Sequence, residues 1–167
     1  MLSSQQIIIR LLLSVILSGC IGMEREKTKR PAGIRTHMLV CVGATLVMLT
    51  SSHLFKKYPN IQIDRLGAQV ISGIGFLGAG TIIRQGNDVQ GLTTAAGLWA
   101  VACIGLSIGS GFYLGGIAAT IIVLATLVVF KKVEEYMMKR NRFLNISIVT
   151  INRPGQIGSI SESIEEM

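Results

Sequence analysis

Gly73-Ile74-Gly75-Phe76-Leu77-Gly78 spells G-x-G-x-x-G, a spacing that can bring backbone N–H groups against a pyrophosphate. That chemistry needs a strand before the motif, a helix opening at it, and a carboxylate about 20 residues later to hold a ribose. Here the glycines lie inside an apolar run. At the distance where the acid should stand, the chain reads Leu98-Trp99-Ala100-Val101. The nearest acid, Asp88, comes too early. Nucleotide binding is not expected, so these glycines need another reason.

Other reactive side chains are sparse. His37 and His53 stand alone near the edges of apolar runs, where an interfacial polar role is commoner than that of ligand or base. Cys20, Cys41 and Cys103 sit singly in apolar runs, without a C-x-x-C or a histidine at ligand spacing. They read as small packing residues. No catalytic residue, metal ligand or cofactor is assigned from these types and spacings, and an enzyme is not expected.

The polar residues gather in two segments. MEREKTKRPAGIRTH holds Glu24, Arg25, Glu26, Arg30, Gly33, Arg35 and Thr36, with Pro31 and Gly33 setting a turn. IRQGNDVQGLTTAAGLW holds Arg84, Asp88, Thr93 and Thr94. Membrane anchoring and helix capping account for part of this, and Thr93 or Thr94 suits the start of a helix. The alternating signs ask for more. Glu24, Arg25 and Glu26 can meet Arg30, Arg35 or Arg84 at a partly dehydrated edge, either as a structural ion-pair network or as a binding rim.

The elements that must position these residues are apolar. Of 167 residues, 50% are hydrophobic and only 15% charged, against about a quarter charged in a soluble domain. Sixteen Lys and Arg face nine Asp and Glu, but they cluster between apolar runs, which points away from nucleic acid and towards a lipid bilayer. Five spans are expected, near residues 6–22, 38–54, 66–83, 95–110 and 112–130. The fold class is an all-α polytopic membrane protein, with a transmembrane domain over 1–142. Placing the first loop, the third loop and the tail inside puts eleven Lys and Arg inside against three outside. The N-terminus is then outside and the C-terminus cytoplasmic. Leu17-Ser18-Gly19-Cys20 also matches a lipoprotein cleavage pattern, although a small-residue packing notch in an ordinary first span explains it better.

Inside lipid, close helix contact depends on small side chains. At 100° per residue, Ala68, Ser72, Gly75 and Ala79 share one face of the third span. Gln69, Gly73, Gly80 and Arg84 share another, a notch with a polar group at each end. Gly78 completes the motif, and Gly97 lies on a small face of the fourth span with Thr93, Ala100 and Ser107. Spans three and four are expected to pack tightly, and such faces suit a homodimer equally well. No Asp or Glu falls within a span, which gives a Mg²⁺ path little support.

After residue 142 the pattern changes. FLNISIVTI alternates like a strand, NRPG is a turn, and Ile157, Ile160 and Ile164 recur at helical spacing. One strand and one helix cannot bury a core, so segment 143–167 is expected either to be cut short or to borrow a partner.

IGMERE…RPAGIRTHMLVCVGA and SGIGFLGAGTIIRQGNDVQGLTTAAGLWAVACIGLSIGSGFY resemble the MgtC/SapB family of bacterial membrane proteins from about Gly22 to Tyr113. Several separated motifs occur in the family's order. The resemblance implies five spans, an outside N-terminus and a location in the bacterial inner membrane. NISIVTINRPGQIGSISESI resembles the opening strand, turn and helix of the ACT-like domain that many members add. The family implies a non-enzymatic role in adaptation to low Mg²⁺ through membrane-protein partners such as the F-type ATP synthase. The alternative is a subunit of a transporter or channel for Mg²⁺ or another ion. In pathogens it implies survival inside macrophages. Virulence-type members can carry Asn and Cys where this chain has Thr93 and Ala100, a departure that favours the broader SapB-like branch.

Overall fold

The structure, a computed structural model, describes residues 3–58, 60, 62–140 and 158. Residues 1–134 form one compact unit and 135–167 a second. Of the second, the described part is the end of the last helix and Gly158. The βα tail expected over 143–167 otherwise lies outside the described residues.

Five helices run in the order α1 (Ser4–Lys27), α2 (Ile34–Lys57), α3 (Arg65–Ala79), α4 (Leu92–Ser110) and α5 (Tyr113–Arg140). A two-stranded antiparallel hairpin, β1 (Ile83–Gln85) and β2 (Asp88–Gln90), separates α3 from α4. Among the described residues, α1, α2, α4 and α5 are long and apolar enough to cross a membrane. Their outward faces carry large apolar side chains, such as Leu39, Leu114 and Phe130, as a lipid solvent requires.

The third helix, 15 residues long, stops at Ala79, before the end of the expected span over 66–83. The helix stops because Gly80 and Thr81 tighten the last turn. Gly80 N–H donates to Phe76 at 3.1 Å, and Thr81 N–H and Oγ1 donate to the Gly78 carbonyl at 3.0 and 2.8 Å. The chain then enters the hairpin, whose register pairs Ile83 with Gln90 and Gln85 with Asp88. Gly86 takes the positive φ of 62° that the tight turn requires.

α4 lies at the centre. Val101, Ile104 and Ile108 of α4 pack with Ile21 of α1 and Cys41 of α2, and Ala119, Val123, Leu124 and Leu127 of α5 close over them. Ala102 of α4 meets Ala44 of α2 and Ile74 of α3. The closest backbone approach is between α2 and α4. A Cβ on Gly105 would collide with the Cys41 carbonyl, and one on Gly109 would lie 2.6 Å from the Thr45 carbonyl oxygen. Thr45 Oγ1 donates to the Gly105 carbonyl at 2.9 Å in the same contact. Gly105 and Gly109 are four residues apart, the spacing that lets helices touch in lipid.

α1 uses the same device against α2. A Cβ on Gly22 would lie 2.6 Å from the Ile34 Cα, and one on Gly19 the same distance from the Met38 methyl. The Leu17–Cys20 stretch therefore sits inside a continuous helix, with Ser18 and Gly19 buried in a helix crossing. At the opposite end of α1, Arg10 is 9% exposed. Its Nη1 donates to the Gly109 carbonyl at 2.7 Å and its Nε to the Tyr113 hydroxyl at 2.9 Å.

Candidate functional site

Antiparallel packing brings the end of α1, the start of α2, the end of α3, the hairpin and the start of α4 to one end of the bundle. Gly22 against Ile34, Gly78 against Ala95 and Gly97 against His37 fix that arrangement; a Cβ on Gly78 would lie 3.4 Å from the Ala95 Cβ, and one on Gly97 3.7 Å from His37 Nε2. The two polar segments therefore form one rim.

Each rim residue has a definite place. α1 ends where the Thr28 hydroxyl donates back to the carbonyls of Glu24 and Arg25, both at 3.0 Å. Lys29 takes a φ of 52° as the chain reverses. Glu26 turns towards α2 and its Oε2 accepts the Ile34 N–H at 2.9 Å. Its partner is a helix N-terminus, where a carboxylate meets unsatisfied N–H groups and the positive end of the helix dipole. Gly33 is the N-cap of α2, and a Cβ there would lie 2.8 Å from that carboxylate oxygen. Glu24 is partly buried, while Arg30, Arg35 and Thr36 are exposed.

Arg84 and Asp88 satisfy the hairpin itself. Arg84 Nε donates to the Gly86 carbonyl at 3.0 Å, and Asp88 Oδ2 accepts from Gln90 Nε2 at 2.9 Å. Neither Thr93 nor Thr94 is the N-cap of α4. Gly91 takes that position, with φ 95° and no side-chain cap. A Cβ on Gly91 would collide with the Thr81 carbonyl, so only glycine lets the chain leave the hairpin here. Thr93 is exposed, and Thr94 is buried at 1% exposure.

Arg25 folds inward rather than outward. It is 5% exposed, and its Nη2 reaches Thr94 Oγ1 at 3.4 Å. Arg25 Nε is buried without a hydrogen-bond partner, as is His37 Nε2. His37 is fully buried, with Nδ1 2.9 Å from the Gly33 carbonyl. Position near the edge of a span suggested an interfacial histidine. The small residues opposite it, Gly22 and Gly97, were the available signal of burial.

Two recesses open beside Arg25. One of about 160 Å³ is lined by Arg25, Arg30, Thr81, Gln90, Gly91 and Thr94. The other, about 410 Å³, shares Arg25, Arg30, Gln90 and Gly91 and extends along Thr93 to Leu127 and Phe130 of α5.

The α3 glycines are not gathered into one notch. Gln69 and Gly73 lie on α3, Gly80 caps it, and Arg84 belongs to β1. A single helix face through all four does not form, because the helix has already ended. Gly73 and Gly75 are exposed, with open space where a Cβ would go. Gly78 is the buried member of the motif, in contact with Ala95. The face of α3 turned to its neighbours carries Gly67, Ile74 and Gly78, while Ala68, Ser72, Gly75 and Ala79 point away.

The sequence profile of the MgtC family matches residues 11–136. The chain belongs to the MgtC family. That stretch runs from α1 into α5 and contains every rim residue. Among relatives, the chain is 40% identical over 152 residues to "Putative magnesium transporter YhiD" of Escherichia coli K12, covering 88% of this chain and 71% of that protein. It is 42% identical over 128 residues to "Protein MgtC" of Salmonella typhimurium strain 14028s, covering 77% of this chain and 54% of that one. A Haemophilus influenzae protein is 35% identical over 161 residues, covering 92% and 68%. The match thus spans about half the length of the Salmonella MgtC. No solved structure matches. Family membership and the long apolar helices together make this MgtC-family chain a multi-pass membrane protein.

Proposed function

We propose that the chain is a non-enzymatic regulator that docks on another membrane protein during adaptation to scarce Mg²⁺. One observation carries this reading. The exposed rim residues Arg35, Thr36 and Arg84 adjoin an α3 whose small face, Ala68, Ser72 and Gly75, is covered by no other part of the described chain. Small residues let a partner helix approach closely in lipid, and the rim charges would select which partner docks. Its partner belongs to a class such as the F-type ATP synthase or a transporter. The inner membrane is its location, with the Arg- and Lys-rich rim on the cytoplasmic side, as positive-inside orientation favours. Two of the described carboxylates are engaged in structure rather than left free for an ion: Glu26 caps a helix and Asp88 braces the hairpin.

The name of the Escherichia coli relative favours a second reading, an ion-transport subunit. One paired experiment separates the two. Cross-linking and pull-down from native membranes under Mg²⁺ limitation should recover a membrane partner with the unaltered chain and lose it with Arg35→Glu or Gly75→Leu. Proteoliposomes holding the purified chain should show no more Mg²⁺ flux than empty ones. Flux above that background, with partner recovery unchanged in both variants, would replace regulation by transport.

A further inference from the structure

We propose that the rim holds a phosphate-type oxyanion between Arg25, Arg30 and the N-terminus of α4. The site is distinct from the exposed docking surface and stands whether or not a partner docks there.

Three features converge on it. The first is a buried charge with no direct ion pair among the described residues, Glu24 attracting it only through space. Arg25 is 5% exposed, its Nε has no partner, and its one hydrogen bond, to Thr94, is 3.4 Å long. Among the described residues no carboxylate pairs with it. Burying a guanidinium without a counter-charge is costly, and an anion beside it removes that cost. The second is the opening of α4. This helix has 19 residues, and Gly91, its N-cap, supplies no side-chain acceptor. The Gly91 carbonyl takes the Ala95 N–H at 2.9 Å, so the N–H groups before it have no intrahelical acceptor. They face the same end as Arg25, and an uncapped helix start favours an anion. The third is the space. Both recesses have Arg25, Arg30 and Gly91 in their walls, and among the described residues no carboxylate lines either.

The donors select the ligand's chemistry. A guanidinium fork presents paired N–H groups suited to two oxygens of one anion. The start of α4 supplies N–H donors beside it, and Thr93, which lines both recesses, adds a hydroxyl. A tetrahedral oxyanion has oxygens enough for all three kinds of donor at once, whereas a carboxylate has only two. Two sources supply that chemistry. Inorganic phosphate could enter the smaller, polar recess. A phospholipid headgroup could enter the larger one, which continues to Leu127 and Phe130 on α5, where acyl chains could follow the helix.

The test uses the full chain purified in a neutral detergent. Unfolding is followed by the fluorescence of Trp99, with sodium phosphate against sodium chloride at matched ionic strength. In parallel, native mass spectrometry counts phosphatidylglycerol retained against a neutral diacylglycerol. Arg25→Gln removes the buried charge. Arg30→Gln, at an exposed position, serves should the first variant not fold. Stabilisation by phosphate alone assigns a free anion, and retention of phosphatidylglycerol alone assigns a headgroup. Both together assign one shared site if the two ligands compete. In each case Arg30→Gln should weaken binding by about tenfold or more. Binding of neither ligand, or equal binding by the unaltered chain and Arg30→Gln, overturns the proposal.

Discussion

Glu26 at the end of α1 accepts the backbone N–H of Ile34 at the start of α2, at 2.9 Å across a tight turn. One carboxylate thus joins two membrane helices and ends the search for a cap that Gly33 cannot supply. Glu26→Ala should lower stability by about 1 kcal/mol, the usual scale for a lost N-cap. Glu26→Gln should retain part of it, since an amide oxygen still accepts while the favourable charge is gone. Thermal unfolding in detergent measures both. Equal loss in the two variants would mean that charge, not the hydrogen bond, is what counts.

The α2–α4 contact should be the least tolerant of added volume. Gly105→Leu or Gly109→Leu must force apart backbones that already meet at the Cys41 and Thr45 carbonyls. Overpacking of this kind costs about 1–3 kcal/mol, and carbonyl rather than side-chain obstacles place these variants at the upper end. Thr45→Val keeps the shape but drops the bond to Gly105, worth about 0.6 kcal/mol between membrane helices. Unfolding midpoints should therefore rank Thr45→Val well above either leucine variant.

Hydropathy made α1, α2, α4 and α5 legible because each is a long apolar run ended by charge or glycine. It misled at α3. Thr81-Ile82-Ile83 continues the apolar run, while the turn at Gly80 and the hairpin are set by hydrogen bonds local to Gly78 and Thr81. Gly86-Asn87 between short runs was the available hairpin signal. The rim was visible as two polar segments, but the division of labour within it was not. Charge spacing cannot tell that Glu26 caps a helix while Arg25 folds inward, since adjacent residues on a helix point about 100° apart and only packing decides which direction is interior. Arg10 was obscured for the same reason. Its partners, Gly109 and Tyr113, lie far along the chain.

Arg10 closes the opposite end of the bundle, binding one of the last carbonyls of α4, where a cation is favoured by the helix dipole. Arg10→Met keeps the aliphatic stem and removes every donor. It should cost about 1.5–3 kcal/mol, the range for hydrogen bonds to a charged group. Tyr113→Phe should cost less, because Arg10 keeps its 2.7 Å bond to Gly109. The order of the two midpoints is the check; a larger loss in Tyr113→Phe would make the tyrosine, not the carbonyl, the chief partner.

Gly91 and Gly86 both take positive φ, but their surroundings differ. A methyl at Gly86 meets nothing within 4 Å, whereas at Gly91 it meets the Thr81 carbonyl. Gly86→Ala should cost about 1–2 kcal/mol, the left-handed backbone penalty alone. Gly91→Ala adds a collision with backbone that cannot move without opening the end of α3. It should therefore lose more stability and shift the start of α4. Hydrogen exchange at Ala95, whose N–H donates to the Gly91 carbonyl at 2.9 Å, reads that shift, and unchanged protection there would show the hairpin absorbing the strain instead.

The two kinds of glycine on α3 give the sharpest separation of folding from docking. Gly78 is buried against Ala95, whose Cβ would lie 3.4 Å from an added Cβ, while Gly75 faces open space. In the isolated chain, Gly78→Leu should destabilise by about 1–3 kcal/mol through overpacking. Gly75→Leu should stay within about 0.5 kcal/mol of the parent, as substitutions away from packed features usually do. If the α3 face with Ala68, Ser72 and Gly75 receives a partner helix, Gly75→Leu should nevertheless abolish its cross-linking in native membranes. Should the lost species be a second copy of this chain, the face is a homodimer contact. Should it be a larger protein, the regulatory reading gains its partner. A Gly75→Leu chain that unfolds as readily as Gly78→Leu would show that this face is already covered within one molecule.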